Sequence, residues 1–177
     1  SSFSSWGVTP DLRLKPEVAA PGGNIYSSVP GGNYEFMSGT SMATPQMAGV
    51  STVVLQRVQN DPLFASMSAR EKVDVVQNLI MGTAAPIVDP LQDTGAPYSP
   101  RKQGSGLVNV LAATTSSVYP TVVGAAEQSR PKADLGDGTT GWHFEVTLHN
   151  LSDTPATYEL SSQALSEIVD GGFFTGH

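Results

Sequence analysis

Residues 36–49 read FMSGTSMATPQMAG, and this stretch carries most of what the sequence says about the fold. Small residues surround Ser41, and an apolar run continues from it to Val58 nearly all round, which predicts a buried helix beginning at the serine. Pro45 fits the first turn of such a helix, because its missing N–H would have no helical partner there. The run Asn60-Asp61-Pro62 predicts the end of the helix.

Ser41 at the start of this helix admits two interpretations. The first is an ordinary N-cap, the usual role of a serine before an apolar helix. The second is a nucleophile, whose own backbone N–H and helix dipole face a developing oxyanion. A cap requires neither Gly39 and Thr40 before the serine nor Met42 and Pro45 after it, so the frame favours the second interpretation.

Composition excludes several classes of protein. The chain has 177 residues with no cysteine, so neither a disulfide framework nor a thiolate metal site is expected. Its formal net charge of −7 disfavours nucleic acid or an anionic membrane as the main partner. No apolar run approaches the about 20 residues that cross a bilayer, and the N-terminus SSFSSWG is not typical of a signal peptide.

Short strands and a second helix are predicted around this serine segment. Strands are expected over residues 1–8, 17–20 and 25–29, with a turn at 30–33. A second helix is expected to open at Ser68, because Glu71 three residues later completes a capping-box pattern. The predicted apolar face of that helix consists of Val73, Val75, Val76, Leu79 and Ile80.

The C-terminal half changes character. Residues 86–106 are predicted to be a surface loop, GLVNVLAAT a strand leading into a helix, and 128–140 a linker or irregular edge. Apolar residues alternate over 142–148 and again over 156–160, which predicts two facing strands. They suggest the start of a β-sandwich, for which the remaining chain is shorter than the about 100 residues needed.

Four ordered motifs resemble those of one protein family. GTSMATP followed by MAG is similar to the serine motif of the subtilisin-like serine proteases, the subtilases. FSSWG, KPEVAAPG and this serine motif together resemble the cell-envelope branch, the lactocepins and C5a peptidases. YSPRKQGSGLVNV resembles the segment that closes the subtilase domain. The resemblance covers residues 1 to about 115.

The resemblance implies an α/β fold with a mostly parallel sheet. It implies that residues 1–116 are the C-terminal part of a subtilase catalytic domain and that 117–177 begin a fibronectin-type-III-like β domain. Ser41 would be the nucleophile of an Asp-His-Ser triad. Thr40, Gly39 and Met42 would form its oxyanion and nucleophile neighbourhood. Gln46 departs from the histidine that many subtilases carry there.

The triad aspartate and histidine are expected upstream of this chain. The histidines present are His143, His149 and His177, of which the first two are expected on a solvated strand face. Asp93-Thr94-Gly95 follows the serine in a Pro/Gly-rich loop, in the wrong order for the family, and is predicted to be a turn. The sequence therefore predicts a fragment of a serine endopeptidase that is inactive alone.

Two alternatives remain at the level of sequence. In the first, the chain is a non-catalytic structural or binding module. In the second, it is a part of a subtilase-like pseudoenzyme. No metal site or cofactor is predicted, although the family makes calcium possible in the parent protein. The expected partners are a protein or peptide substrate and the N-terminal part of the catalytic domain. The expected location is extracellular, at the cell surface or cell wall.

Overall fold

The computed structural model describes residues 3–11, 13–90, 95–123, 130–135, 141–163, 167–170 and 173–176. Its strands form three separate antiparallel pairs, β1 with β2, β3 with β4, and β5 with β6. The elements in chain order are β1 (Ile25–Val29), β2 (Asn33–Met37), α1 (Thr40–Asn60), a 3₁₀ helix (Pro62–Phe64), α2 (Ala69–Gly82), α3 (Pro100–Gln103), α4 (Val110–Thr115), β3 (Val118–Val123), β4 (Glu145–Asn150), β5 (Glu167–Asp170) and β6 (Phe173–Gly176).

The hydrophobic core lies where the C-terminal half of α1 meets α2, α4 and β3. Val54 and Val58 of α1 are fully buried there, as is Leu79 of α2. Burying side chains of this size stabilises a fold by about 1.5–3 kcal/mol each. The buried members of this core are Val54, Val58, Phe64, Val75, Val76, Leu79, Ile80, Ala113 and Tyr119.

The predicted start of α2 is confirmed. The Ser68 hydroxyl accepts a hydrogen bond from the Glu71 N–H at 3.3 Å, and a Glu71 carboxylate oxygen accepts one from the Ser68 N–H at 2.7 Å. The apolar face is confirmed at Val75, Val76, Leu79 and Ile80. It is wrong at Val73, which is 42% exposed because it lies on the side of the helix turned away from the core.

The expectation that α1 is buried all round is wrong. Its bounds agree with the prediction, and Asp61 is its C-cap, whose N–H donates to the Arg57 carbonyl. The Asp61 side chain caps the following 3₁₀ helix by accepting from the Leu63 N–H. Only Val54 and Val58 are buried, whereas Val53 is 47% exposed. The elements with several contacts to α1 are α2, α4 and the 3₁₀ helix. They pack on one side of it, so the rest of its apolar surface stays open within the described residues.

The segment before β1 holds less regular structure than predicted. Residues 3–8 form no strand, and Val8 makes only an isolated bridge with Leu14. The strand predicted over 17–20 is reduced to one parallel bridge between Ala19 and Leu107, and Leu107 also bridges Ala85 in the antiparallel sense. In the described ranges this bridge is all that represents the expected parallel sheet, because no other parallel pairing accompanies it.

The predicted pairing of the C-terminal strands is wrong. Residues 156–160 form no strand, and β4 instead pairs antiparallel with β3, with Thr121 opposite Thr147. β3 follows α4 directly and buries Tyr119 and Val122, so it lies on the core with one edge available to β4. The pairing therefore depends on how β3 packs on α2, which alternation within 142–160 does not reveal.

The described part of the predicted linker, residues 130–135, is irregular but docked on the body of the chain. The Lys132 ammonium donates to the Leu14 carbonyl at 3.0 Å, and an Asp134 carboxylate oxygen accepts from the Leu14 N–H at 2.8 Å. Lys132 also lies 3.5 Å from the Glu17 carboxylate. Burial raises the pKa of Glu17, but hydrogen bonding to Lys15 and nearby positive charges outweigh it, so the pKa lies below its usual value.

Candidate functional site

Ser41 lies in the first turn of α1, one residue inside the helix. Gly39 holds the N-cap position, so the interpretation of Ser41 as an N-cap is wrong. The Ser41 side chain is exposed, and it makes no hydrogen bond within the described part of the chain. The Ser41 hydroxyl therefore does not cap this helix.

The N-terminus of α1 is left open toward solvent. Gly39 offers no side chain, no other side chain caps the first turn, and the first turn holds no acidic residue. Within the turn, the Met42 N–H bonds to the Gly39 carbonyl at 3.1 Å. An uncapped helix start presents N–H groups and a partial positive charge, which together stabilise negative charge beside them.

Residues 22–24 hold the segment before Ser41 in place. The Gly39 N–H donates to the Gly22 carbonyl at 2.8 Å, and the Ser38 hydroxyl accepts from the Asn24 N–H at 2.8 Å. Gly22 is buried, and a Cβ there would lie 2.6 Å from the Gly39 carbonyl oxygen. Only glycine permits this approach.

The role of Gly22 was not predicted from the sequence. The motif KPEVAAPG ends at this residue, and Pro21-Gly22-Gly23 directly follows the strand predicted over 17–20. A glycine after proline is a common turn signal, so the sequence did not distinguish a turn from a close approach between two backbones.

A cavity of about 320 Å³ borders Ser41. One face of the β1–β2 hairpin, together with Ser28 from its other face, forms one wall, and the first turns of α1 form the other. Volumes of this order are typical of small-ligand pockets. The residues that line it are Ile25, Ser27, Ser28, Val29, Glu35, Met37, Ser41, Met42, Pro45 and Gln46.

The residues predicted to surround Ser41 are next to it in the chain, at and just inside the start of α1. Met42 is half-buried and lines the same cavity as Ser41. The Thr40 carbonyl accepts a hydrogen bond from the Thr44 hydroxyl at 3.0 Å, one turn further along. Gly39, Thr40 and Met42 therefore stand next to the serine, and Gln46 lies one turn beyond it in the cavity wall.

The described histidines are His143 and His149. His149 stacks on Tyr119 with ring centroids 4.5 Å apart, and its Nε2 lies 2.8 Å from the Thr121 hydroxyl. His149 is therefore half-buried rather than on a solvated face, whereas His143 is exposed as expected. Neither hydrogen-bonds Ser41. His177 and the predicted turn residues Asp93 and Thr94 lie outside the described residues.

Two further observations concern metals and membranes. Among the described residues, no group of three or more His, Asp or Glu side chains could hold a metal ion. In the same ranges, no helix combines the length and apolar character needed to cross a membrane.

Comparison with known protein families gives one match by sequence model. The model of the subtilase family, peptidase S8, matches residues 1–106. The chain is 34% identical over 174 residues to a C5a peptidase of Streptococcus pyogenes serotype M1, covering 98% of this chain and 14% of that protein. It is 36% identical over 175 residues to a PII-type proteinase of Lactococcus lactis subsp. cremoris, covering 96% of this chain and 9% of that protein.

Solved structures give partial matches. The patellamide maturation protease PatA matches with a TM-score of 0.40 and 34% identity, over 54% of this chain and 31% of that one. The CspB protease of Clostridium perfringens matches with a TM-score of 0.45 and 27% identity, over 64% of this chain and 23% of that one. The chain thus spans a small part of the length of each relative.

Proposed function

The chain belongs to the subtilase family, and from that premise we propose that it carries the nucleophile of a serine endopeptidase, with Ser41 as the acylated residue. One observation supports this most strongly. Ser41 is exposed in the uncapped first turn of a 21-residue helix, beside a cavity, and has no structural hydrogen bond.

The chemistry follows from this placement. The Ser41 hydroxyl loses its proton to a base and attacks the carbonyl carbon of the substrate. The carbonyl oxygen gains negative charge, and the open N–H groups around Ser41 at the start of α1 stabilise it. The amine then leaves with a proton from the base, and water hydrolyses the acyl-enzyme formed on Ser41. Gly39 and Thr40 shape the approach to this position.

We further propose that the base and its orienting aspartate come from outside residues 1–177. A base must lie within about 2.6–3.2 Å of the hydroxyl that it deprotonates. The engagement of His149 with Tyr119 and Thr121 supports this proposal. On it, the 177-residue chain alone does not hydrolyse peptide bonds.

The proposal extends to the whole protein. Residues 1–116 are the C-terminal part of its catalytic domain, and 117–177 begin a fibronectin-type-III-like domain. The antiparallel β3–β4 pair and the exposed Val146 and Leu148 of β4 support a further β-layer over that face. The resemblance to the cell-envelope branch supports action on proteins or peptides outside the cell, at its surface.

Covalent labelling of the full-length protein tests the assignment. A fluorophosphonate probe should form an adduct that peptide mapping places on Ser41, and Ser41→Ala should abolish it. Ser51→Ala is the matched control, a serine in the same helix that should leave labelling unchanged. An adduct on another residue would refute the assignment. A folded full-length protein without any adduct or peptidase activity would favour a pseudoenzyme or binding module.

A further inference from the structure

The cavity beside Ser41 contains one ionisable side chain, Glu35. We propose that Glu35 makes this cavity a subsite for a basic side chain, lysine or arginine, of the polypeptide substrate. The inference rests on the proposed function and adds a substrate class to it.

The strand register places Glu35 on the cavity side of the hairpin. Ile25 pairs with Met37 and Ser27 pairs with Glu35, and all four residues line the cavity. Successive side chains of a strand point to opposite faces. The opposite face of the hairpin carries Tyr26, whose ring contacts those of Tyr34 and Phe36, and all three are exposed.

The rest of the wall suits the stem of a long side chain. Ile25, Val29, Met37, Met42 and Pro45 supply apolar surface, and Ser27 and Gln46 are neutral. Lysine and arginine bury an apolar stem while the charged end remains in a polar environment. An apolar wall with a single carboxylate matches an apolar stem with a charged end. An acidic side chain would be repelled by the carboxylate, and an aliphatic side chain would leave the carboxylate without a partner.

No basic side chain in the described part of the chain neutralises Glu35. Within the described ranges, neither an ion pair nor a hydrogen bond joins the Glu35 carboxylate to another side chain, and no Lys, Arg or His lines the cavity. Glu35 is exposed, and a carboxylate without a partner attracts a cation more strongly than one already paired, since an existing partner would have to be displaced.

Proximity to Ser41 limits which substrate residue is concerned. Glu35 and Ser41 line one cavity of about 320 Å³, and an extended peptide advances about 3.3 Å per residue. The basic side chain therefore belongs to a residue within a few positions of the bond that Ser41 attacks.

The test uses the full-length protein and a series of fluorogenic peptides. One lysine is moved through the positions on both sides of the cleaved bond, with norleucine, glutamine and glutamate as replacements. We expect lysine at one position to raise kcat/KM about fivefold over norleucine, the upper range for a solvent-screened ion pair. This preference should weaken with added salt, because ions screen exposed charges.

Variants assign the preference to its source. Glu35→Gln should remove the preference for lysine, so that the lysine and norleucine peptides are cleaved with similar kcat/KM, and Glu35→Lys should shift the preference to glutamate. Glu145→Gln, an exposed glutamate of β4, is the control and should retain the preference for lysine.

The outcomes separate this inference from the proposed function. If Glu35→Gln labels normally on Ser41 but keeps the wild-type ratio of lysine to norleucine rates, the inference is wrong and the proposed function stands. A wild-type protein with no preference at any position would have the same meaning. If wild type neither labels on Ser41 nor cleaves any peptide, the proposed function fails and the inference fails with it.

Discussion

The two long helices of this protein begin in opposite ways. α2 starts with a closed capping box, in which Ser68 and Glu71 satisfy each other's backbone N–H groups. α1 starts at Gly39 with no side-chain cap and no acidic residue in its first turn, although it is the longer helix. Capping with Ser rather than Ala is typically worth about 1 kcal/mol, so α1 lacks a stabilising contact that α2 has.

The difference shows what each helix start is available to do. At α2 the hydroxyl and the carboxylate are used up in local hydrogen bonds. At α1 the hydroxyl lies one residue further in, at Ser41, and a backbone contact from Gly22 to Gly39 holds the segment instead of a side chain. The start of α1 therefore keeps its donors and its hydroxyl accessible to a ligand.

The largest expected effect concerns Ser41. In the full-length protein, Ser41→Ala should lower kcat by about 10⁶-fold, the loss known for the nucleophile of subtilisin. It should leave thermal unfolding almost unchanged, because Ser41 does not cap α1. Steady-state kinetics and calorimetry measure the two effects. A large fall in melting temperature would instead indicate a structural role for the hydroxyl.

A smaller loss is expected at Gly22. Gly22→Ala would place a Cβ 2.6 Å from the Gly39 carbonyl oxygen and 3.2 Å from the Ala43 Cβ. The backbone before Ser41 must shift, and a displacement near 1 Å costs about 10²-fold in rate. Gly23→Ala is the control, because nothing lies within 4 Å of a Cβ there. Equal kcat/KM values for both variants would refute a positioning role for Gly22.

A several-fold effect is expected from oxidation of Met42. Its thioether borders the cavity next to Ser41, and sulfoxide formation makes that side chain polar and larger. Peroxide should therefore lower turnover of the full-length protein, and Met42→Ala should protect it. Inactivation of the alanine variant at the wild-type rate would assign the sensitivity to another residue.

A still smaller effect is expected at the start of α2. Ser68→Ala removes the side-chain cap and should lower the free energy of unfolding by about 1 kcal/mol. Labelling of Ser41 and kcat should remain at wild-type values, since α2 does not line the cavity. Denaturant unfolding and probe labelling of the same preparation check both. Loss of labelling in this variant would mean that the two helix starts are coupled.

The smallest expected effect is a dependence of the free energy of unfolding on pH. The hydrogen bonds from Ser68 lower the pKa of Glu71 below its usual value. The Glu71 carboxylate therefore stabilises the capping box at neutral pH, and this contribution is lost as the pH falls through the lowered pKa. Denaturation of wild type and Glu71→Gln should differ at pH 7 and converge in acid, because the variant lacks only the titrating carboxylate. A constant difference would exclude the Glu71 carboxylate as its source.

Local features of the fold could be predicted from the sequence alone. These features depend on residues a few positions apart. They are the bounds of β1, the turn at 30–33, the end of α1 and the capping box of α2. Their chemistry acts over that range, through fixed φ angles, missing donors or side-chain caps. Helix geometry likewise fixes where Thr40 and Met42 stand relative to Ser41, whereas their role at that position stays a prediction.

The tertiary structure decided what depends on distant partners. Four features require segments that meet only after folding. They are the pairing of β4 with β3, the exposure of Val73, the approach of Gly22 to Gly39 and the position of Glu35 in the cavity. A periodic sequence pattern indicates that a helix or strand has an apolar face and a polar face, but it does not indicate which other element covers the apolar face. Packing against α2 and the hairpin determines which of these faces is buried, because burial depends on the sum of contacts from several elements.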